Sequence, residues 1–397
     1  MGEAAKLRAW WWARQGLDGS LRGKPPAEIL QATGWARSVG GAGPYLSLFA
    51  RGGLSRQQVD DAVGALEIHE LPSARGCTYV LPAADFGLGL LVGQGFGDDQ
   101  TLKTALRLGV TEAEIERLGQ AVVRALAGGP LSTDELRGAV GDAARSLGPE
   151  GTRKGVTTTL PVALGVLQTT GAIRRVPTNG RLDQQRYRYA LWDPNPLDQL
   201  ALDREQALTE LARRYFQWAG PATLAELQWF SGLSGRAARK AVEPLGLVPY
   251  PPAPERLMFP DELAPLQHFT PPTTPCYVLV SNLDALFLLR RDFAGCVAPR
   301  FLAHPLLREK SAQPGGGLAD GPYQAIVDRG SVVGFWEYDP DAAKIVFATF
   351  QPPDAEMQRA IELTEAFARE DLGDVRMMSL DSPKARAPRL AALRAAG

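Results

Sequence analysis

The sequence predicts an α+β protein in which three tandem winged-helix units precede a small β-rich C-terminal domain. Amphipathic helices followed by two strand-like runs and a turn occur three times before about residue 260, which is the order of elements in a winged helix. Strand-like runs predominate after that point. The 397 residues are enough for several separate cores. We therefore expect units at 1–97, 98–198 and 199–262, and a last domain at 263–397.

The first unit combines helical patterns with a hairpin. Ser55 has the side chain and the position to cap the last helix of the unit. The hairpin joins the runs EIHEL and CTYVL through PSARG. The predicted helices are Ala4–Gly16, Pro26–Thr33, Pro44–Arg51 and Arg56–Ala65.

The second unit repeats this order. Ser132 and Glu135 have the spacing of a capping box, which predicts a helix start. The hairpin joins AIRRV to QRYRYALW around Asn179-Gly180, a pair typical of tight turns. The predicted helices are Thr111–Ala127, Ser132–Ala139 and Thr157–Thr170.

The third unit begins with a helix at Arg204–Trp218 and continues through the segments TLAELQWFSG and SGRAARKAVEPLG. It ends in LVPYPPAPERLMF, where prolines separate two strand-like runs. The last domain contains the runs CYVLV, YQAIVD, SVVGFWEYD and KIVFATF, which favour a barrel or sandwich. A glycine-rich surface loop is expected at Ser311–Gly321 and a final helix at Glu356–Asp371.

Several functional classes are disfavoured by composition. No window approaches the roughly eighteen apolar residues of a membrane span, and the N-terminal segment has no secretory pattern, so we expect a cytoplasmic protein without a membrane partner. Three cysteines and three histidines have no metal-ligand spacing, which predicts no metal. Phosphate-binding glycine motifs are also absent, so we expect no cofactor.

The formal net charge of −1 conceals a strong local asymmetry. Between Thr152 and Trp192 seven cations accompany one anion, whereas between Asp354 and Asp374 seven acids accompany two arginines. A basic wing is where a winged helix meets DNA phosphates, so this segment predicts a double-stranded DNA partner and residence at the nucleoid when bound. The cations are Arg153, Lys154, Arg174, Arg175, Arg181, Arg186 and Arg188.

The second hairpin orients these cations by strand alternation. Arg186 and Arg188 are expected to share one face, with Tyr187 and Tyr189 on the other, and Arg181 lies near the predicted turn. The alternative is a solvated basic hairpin that faces acidic neighbours within the protein.

Three stretches resemble the bacterial winged-helix DNA glycosylase superfamily of AlkZ and YcaQ type: PYLSLFARGGLSRQQVDDAV (44–63), SARGCTYVLPAADF (73–86) and RYFQWAGPATLAELQWFSGLS (214–234). The resemblance covers most of the chain in the same order and extends to DALFLLRRD (284–292). It implies a C-shaped arrangement of the three units around duplex DNA. It also implies hydrolysis of the N-glycosidic bond of alkylated or crosslinked purines.

The catalytic motif of that family departs from its usual form here. The family places a glutamine, an aliphatic residue and then glutamine or aspartate before the helix that begins PYLSLFAR. This chain has Ala36-Arg37-Ser38 there, and Gln31 lies five residues before Ala36. Base loss passes through an oxocarbenium-like sugar that needs a polar group to hold water and stabilise positive charge. The resemblance therefore implies a divergent member that has lost base excision or rebuilt its site.

Other side chains near the motif are candidates for that site. Trp35 and Tyr45 are suited to stack on a base, Arg37 to hold a phosphate or a guanine edge, and Ser38 to hold a water. Gly40-Gly41 would allow DNA to approach the backbone closely. The alternative is that Trp35 packs in the core, Arg37 is an exposed cation and the glycines turn the chain.

A second polar cluster lies on the first hairpin. Glu67 and His69 are expected to share a face, with Glu70 on the opposite face and Arg75 at the turn as a DNA contact. A titrating histidine–carboxylate pair and an ordinary charged strand both fit this pattern. The sequence thus favours a DNA-binding repair protein, with a non-catalytic damage sensor or transcriptional regulator as the alternative.

Overall fold

The computed structural model describes residues 2–96, 98–184, 186–307 and 318–397. They form an α+β fold with three three-stranded antiparallel sheets and one four-stranded sheet. Much of the predicted loop Ser311–Gly321 lies outside the described residues.

The first unit forms the predicted helices and hairpin. Its sheet has the order β1-β3-β2, so the short first strand pairs with the last. Ser55 and Gln58 form a capping box that starts α4. The elements are α1 (Glu3–Arg14), α2 (Pro26–Thr33), β1 (Ala36–Arg37), α3 (Gly43–Gly52), α4 (Arg56–Gly64), β2 (Ile68–Pro72), β3 (Thr78–Pro82) and α5 (Phe86–Gly93).

The second unit has the same sheet order, β4-β6-β5. The predicted capping box of Ser132 and Glu135 is confirmed and starts α8. The elements are α6 (Asp98–Arg107), α7 (Glu112–Leu126), β4 (Leu131–Ser132), α8 (Thr133–Val140), α9 (Gly148–Arg153), α10 (Thr159–Thr169), β5 (Ile173–Pro177) and β6 (Tyr187–Leu191).

The third unit repeats the order once more as β7-β9-β8. The side chain of Thr223 caps α12 and that of Ser234 caps α13. The elements are α11 (Arg204–Ala219), β7 (Ala222–Thr223), α12 (Leu224–Ser231), α13 (Gly235–Val242), β8 (Val248–Tyr250), β9 (Ala253–Met258) and α14 (Pro260–His268).

The C-terminal region contains one open four-stranded antiparallel sheet, in the order β10-β11-β12-β13, in place of the expected barrel or sandwich. Its strands are β10 (Tyr277–Val280), β11 (Gln324–Asp328), β12 (Ser331–Asp339) and β13 (Lys344–Thr349), and α15 (Ala285–Leu288) follows β10. Two further helices, Ala355–Phe367 and Pro383–Ala396, complete the chain.

The hydrophobic cores run across the boundaries expected from the sequence. The three consecutive tryptophans of α1, Trp10 to Trp12, are buried in a cluster with Phe335 and Val327 of the C-terminal sheet. The core of the first unit likewise includes Trp336. The second unit has a core of its own, but its residue Leu182 is fully buried in the core of the first unit.

A buried ion pair joins the first unit to the C-terminal region. The Arg51 guanidinium donates to both carboxylate oxygens of Asp284, each at 2.8 Å, and both side chains are 0% exposed. Arg51 also donates to Gln15 at the end of α1. Since α3 carries Arg51 and Asp284 caps α15, the pair fixes these elements relative to each other.

A histidine on β2 is buried without a charge partner. The His69 ring packs edge-to-face on Trp192 and Phe86, and its Nδ1 has no hydrogen-bond partner among the described residues. Burial, with a smaller contribution from the Arg174 charge, lowers the pKa of His69 from 6.5 to about 3. The folded protein therefore holds this ring neutral.

Stability should fall in acid because of His69. The unfolded chain takes up a proton near pH 6.5 that the folded chain refuses until about pH 3, so this contribution is present above pH 6.5 and is lost as the pH falls. We expect the free energy of unfolding of wild type to decline relative to that of His69→Phe by ~1.4 kcal/mol per pH unit within that window. Urea unfolding at several pH values measures this difference. Parallel profiles for wild type and His69→Phe would contradict the assignment.

Breaking the Arg51–Asp284 pair should be strongly destabilising, because Asp284 would remain buried as an unpaired charge. We expect Arg51→Met to lower the free energy of unfolding by ~3–5 kcal/mol, measured by urea titration. The exposed Arg137–Asp134 pair provides the control: Arg137→Met should change that free energy by no more than about 1 kcal/mol. Equal effects of the two substitutions would show that the buried pair has no special role.

Candidate functional site

The segment at the position of the family motif forms β1 and its continuation. Ala36 pairs with Val80 and Arg37 with Tyr79, and the Ser38 amide donates to the Thr78 carbonyl at 3.0 Å. By strand alternation Ala36 and Ser38 face one side of the sheet and Arg37 the other. The two positions where the family has polar side chains thus share a face.

A carboxylate from a neighbouring strand reaches this face. Glu70 on β2 is in register with Val80 on β3, which is in register with Ala36 on β1. The Ser38 hydroxyl donates to Glu70 Oε1, and the two residues are 2% and 6% exposed. Glu70 Oε2 has no hydrogen-bond partner among the described residues. A buried carboxylate therefore lies at the motif position.

Two side chains of the second hairpin complete this cluster. Burial, followed by the charge of the Glu70 carboxylate, raises the pKa of Tyr187 above its ordinary value, whereas the Arg175 charge lowers it. The Arg175 guanidinium lies 5.4 Å from the Tyr187 ring centroid. We call Ser38, Glu70, Arg175 and Tyr187 the Glu70 cluster.

The expected pair of Glu67 and His69 does not form. Glu67 precedes β2 and is exposed, whereas His69 is buried among aromatic rings with its Nδ1 unpaired. The reason is that the His69 face of β2 packs on Phe86 and Trp192. Glu70, on the opposite face, is the residue of this strand that meets the motif.

The Arg37 side chain is hydrogen-bonded to backbone carbonyl groups. Its guanidinium donates to the carbonyl oxygens of Ser38 and Thr78 and lies 5.5 Å from the Tyr79 ring centroid. The side chain is half-buried. These contacts hold Arg37 away from the Glu70 face, so its positive charge does not oppose one that develops there.

Trp35 has the core role that the sequence also allowed, and Tyr45 is buried as well, which corrects the base-stacking prediction for both rings. Trp35 is 2% exposed and its Nε1 donates to Asp85 at 2.9 Å. Tyr45 is 0% exposed; its hydroxyl donates to Asp60 and accepts from the Leu182 amide at 2.9 Å. Neither ring has a face open to a base in this structure.

The glycines of the motif loop approach the protein's own backbone, which corrects the expected approach to DNA. A Cβ on Gly41 would lie 2.5 Å from the Arg376 carbonyl oxygen, so only glycine fits there. The Ala42 amide donates to the Arg376 carbonyl at 2.9 Å, and the Ser379 amide to the Val39 carbonyl at 3.0 Å. The motif loop is thus bonded to the segment between the last two helices.

The cations of the second unit divide into paired and unpaired groups. Arg188 contacts Glu135 at 3.0 Å, and Arg153 and Lys154 both contact Glu150. These contacts fit the acidic-neighbour alternative for part of the segment. Within the described parts of the chain, the cations that form no ion pair are Arg174, Arg175 and Arg186.

The turn of the second hairpin is docked on the protein. Arg181, expected near an open wing tip, forms an ion pair with Asp183 and donates to the Leu372 carbonyl at 2.9 Å. Leu182 beside it is buried in the first unit. The predicted tight turn at Asn179-Gly180 is therefore part of a longer connection between β5 and β6, which the core holds in place.

Arg75 at the turn of the first hairpin packs on the third unit. Its backbone has a positive φ of 58°. Its guanidinium lies 3.5 Å from the Trp229 ring centroid, as does that of Arg291, and it donates to the Trp229 carbonyl. The two guanidiniums and the ring form a cation–π arrangement that joins three parts of the chain.

Helix α13 has cations that the sequence analysis did not single out. Arg236, Arg239 and Lys240 are all exposed, and Lys240 pairs with Glu205. Arg236 and Arg239 are three positions apart on the helix and so lie on neighbouring faces. The detectable signal was three cations within eight residues behind a serine cap.

Metal-ligand clusters and membrane-spanning helices are both absent from residues 2–96, 98–184, 186–307 and 318–397. No group of three metal-ligating side chains occurs in these ranges. No helix within them is long and apolar enough to span a bilayer.

Comparison with known proteins gives the family of the chain. No curated protein matches it. The solved structure of the Streptomyces sahachiroi DNA glycosylase AlkZ is similar in fold, with a TM-score of 0.66 and 20% identity, covering 94% of this chain and 98% of that chain. The family model "DNA glycosylase AlkZ-like" matches residues 28–370. Because this match spans most of the sequence, the chain belongs to the AlkZ-like DNA glycosylase family.

Proposed function

We propose that this protein binds duplex DNA and hydrolyses the N-glycosidic bond of alkylated or crosslinked purines, with Glu70 as its catalytic carboxylate. Family membership supports DNA repair and a DNA partner. The observation that carries the catalytic part is the contact between Ser38 and Glu70 at the motif position. In this proposal the Glu70 carboxylate supplies the polar group that Ala36 and Arg37 do not provide.

The chemistry requires an anionic oxygen near the sugar. As the C1′–N bond breaks, positive charge develops on the sugar, and a carboxylate in a poorly hydrated site stabilises that charge more than it would in water. The oxygen of a water molecule then bonds to C1′ and its proton passes to Glu70. A purine alkylated at N7 is positively charged, so it takes the electron pair of the broken bond and leaves as a neutral base.

Ser38 has a positioning role in this proposal. Its hydroxyl donates to one oxygen of Glu70 and so fixes the carboxylate, and we assign the water to the other oxygen, Oε2. The carboxylate belongs to strand β2, which pairs along its length with β3. A group held by a sheet keeps its place better than one on a loop, which suits catalysis that depends on orientation.

For DNA binding we infer that the three helix-and-hairpin units act as winged helices. Among the described residues, several cations that form no ion pair have a charge that phosphates can neutralise: Arg174 and Arg186 on the second hairpin, and Arg236 and Arg239 on α13. Each phosphate contact releases counterions, so binding should weaken steeply with salt.

A non-catalytic DNA-binding protein, such as a damage sensor or regulator, is the second candidate. The observations in its favour are the missing glutamine and the closure of Ser38 and Glu70, which are 2% and 6% exposed. A protein of this second kind would also bind duplex DNA, but it would release no base.

Base release tests the catalytic role of Glu70. We expect wild type to release free base from duplex DNA that contains 7-methylguanine, and Glu70→Gln to slow this release by roughly 10²-fold or more, because the amide cannot accept the proton from water. Released base is measured by chromatography and abasic sites by alkaline cleavage. Duplex affinity should stay within about threefold, because the residue is buried away from the phosphates.

The matched control is Glu67→Gln, which alters an exposed carboxylate three residues away on the same hairpin. It should leave release unchanged. Release that survives Glu70→Gln would remove Glu70 from the mechanism. No release by wild type from methylated or crosslinked duplexes, with binding retained, would favour the sensor.

Salt dependence tests the second hairpin as a phosphate contact. We expect Arg186→Ala to weaken duplex binding and to shallow the slope of log affinity against log salt by roughly one unit. Fluorescence anisotropy at several salt concentrations measures the slope. The control is Arg359→Ala, whose side chain pairs with Glu356 in the acidic helix. A slope equal to that of wild type would place the phosphate contacts elsewhere.

A further inference from the structure

Two apolar side chains project into solvent from the segment between the last two helices. Met378 is 46% exposed and Leu380 is 85% exposed. Among the described residues, the other large hydrophobic side chains with comparable exposure are Leu302 and Leu363. Isolated exposed hydrophobic residues are ordinary on protein surfaces, but two beside each other indicate a contact surface. We call Met378 and Leu380 the apolar tip.

The base of the apolar tip is held firmly. The Asp381 carboxylate accepts from the Met377 amide at 3.1 Å, and the Asp381 amide donates to the Met378 carbonyl at 3.0 Å. Arg389 donates to Asp381 at 2.8 Å and to Glu337 at 2.8 Å. Met377 itself is 7% exposed and anchors the turn in the protein. The exposure of the tip is thus a feature of an ordered turn.

The turn is bonded to the motif loop. The Ser379 amide, between the two apolar residues, donates to the carbonyl of Val39, the residue that follows Ser38. The Ala42 amide donates to the carbonyl of Arg376, just before the turn. The apolar tip is therefore positioned by the same loop that carries the Glu70 contact.

Cationic side chains accompany the tip. Arg376 donates to the Asp183 carbonyl of the second hairpin at 3.4 Å and pairs with Asp374 at 3.7 Å, so its charge is compensated. Lys384, exposed at the start of the last helix, forms no ion pair within the described residues. An apolar projection with an unpaired lysine close by in sequence is complementary to a base stack beside a phosphate backbone.

We infer that Met378 and Leu380 insert between stacked bases of duplex DNA beside the nucleotide that faces Glu70. The inference rests on the proposed DNA binding. A base that leaves the stack opens an apolar gap, and leucine and methionine are side chains that wedge into such gaps. The family model ends at residue 370, before this segment. The wedge is a positioning device for the unstacked nucleotide and takes no part in bond cleavage.

The fluorescence of 2-aminopurine tests the wedge directly, because unstacking of that base raises its emission. A duplex carries 2-aminopurine next to 7-methylguanine, and protein is added to saturation. We expect wild type to raise the emission severalfold and Met378→Ser with Leu380→Ser to reduce that rise at least roughly fivefold. Duplex affinity should change by less than about threefold, since phosphate contacts remain.

Leu363→Ser is the matched control, because Leu363 is 53% exposed on the helix Ala355–Phe367. Its emission should equal that of wild type, and thermal melting of all variants checks the fold. Equal emission from the tip variant and wild type would overturn the wedge while leaving the proposed function intact. Duplex binding by wild type without increased emission would do the same. Absence of duplex binding by wild type would overturn both proposals.

Discussion

The buried ion pair between Arg51 and Asp284 sets the frame in which the motif segment lies. Gln15 accepts from Arg51 and donates to the Thr33 carbonyl at 2.8 Å and to the Trp218 carbonyl at 3.1 Å. The end of α2 and the body of α3 are therefore tied to one polar network, and the segment between them is held at both ends. Removing two charges from water is costly, and hydrogen bonds offset that cost only in part here, because the buried Arg51 Nε has no hydrogen-bond partner among the described residues. The pair thus specifies arrangement more than it adds stability.

Local patterns in the sequence predicted the elements well, because the signals that start and end helices are local. Helix α2 has the predicted bounds Pro26–Thr33, and the capping box at Ser132 starts its helix. Alternation also assigned His69 and Glu70 to opposite faces of β2. In contrast, the contact of Ser38 with Glu70 spans 32 residues in sequence and depends on the register of three strands. The periodic pattern of apolar and polar residues in a sequence does not show how three strands are aligned with one another.

The side chains whose roles were predicted wrongly from the sequence also depend on long-range contacts. An aromatic residue near a motif looks the same in sequence whether it faces a ligand or the core, and only tertiary packing buries Trp35 and Tyr45. In the sequence, Gly41 looks like a residue that lets DNA approach the backbone closely. In the structure it is the backbone of Arg376 that lies so close to Gly41. Charge counting had the related weakness that it does not show which cations meet carboxylates. Arg188 and Arg181 do, whereas Arg186 does not among the described residues.

Under the proposed function, the same long-range contacts supply a polar group where the local motif has lost one. A glutamine at position 36 or 38 would carry its polar group on β1 itself. Here Ser38 retains only a hydroxyl, and the stronger group comes from β2, across the width of β3. In the proposed site the polar group is therefore anchored on β2 and lies at the same face of the sheet as Ser38. Since the sheet, the Arg51 network and the C-terminal turn each hold the motif segment from a different direction, loss of one local side chain leaves its position unchanged. In the proposed site the group at that face is a carboxylate, whose negative charge favours a positively charged reacting sugar.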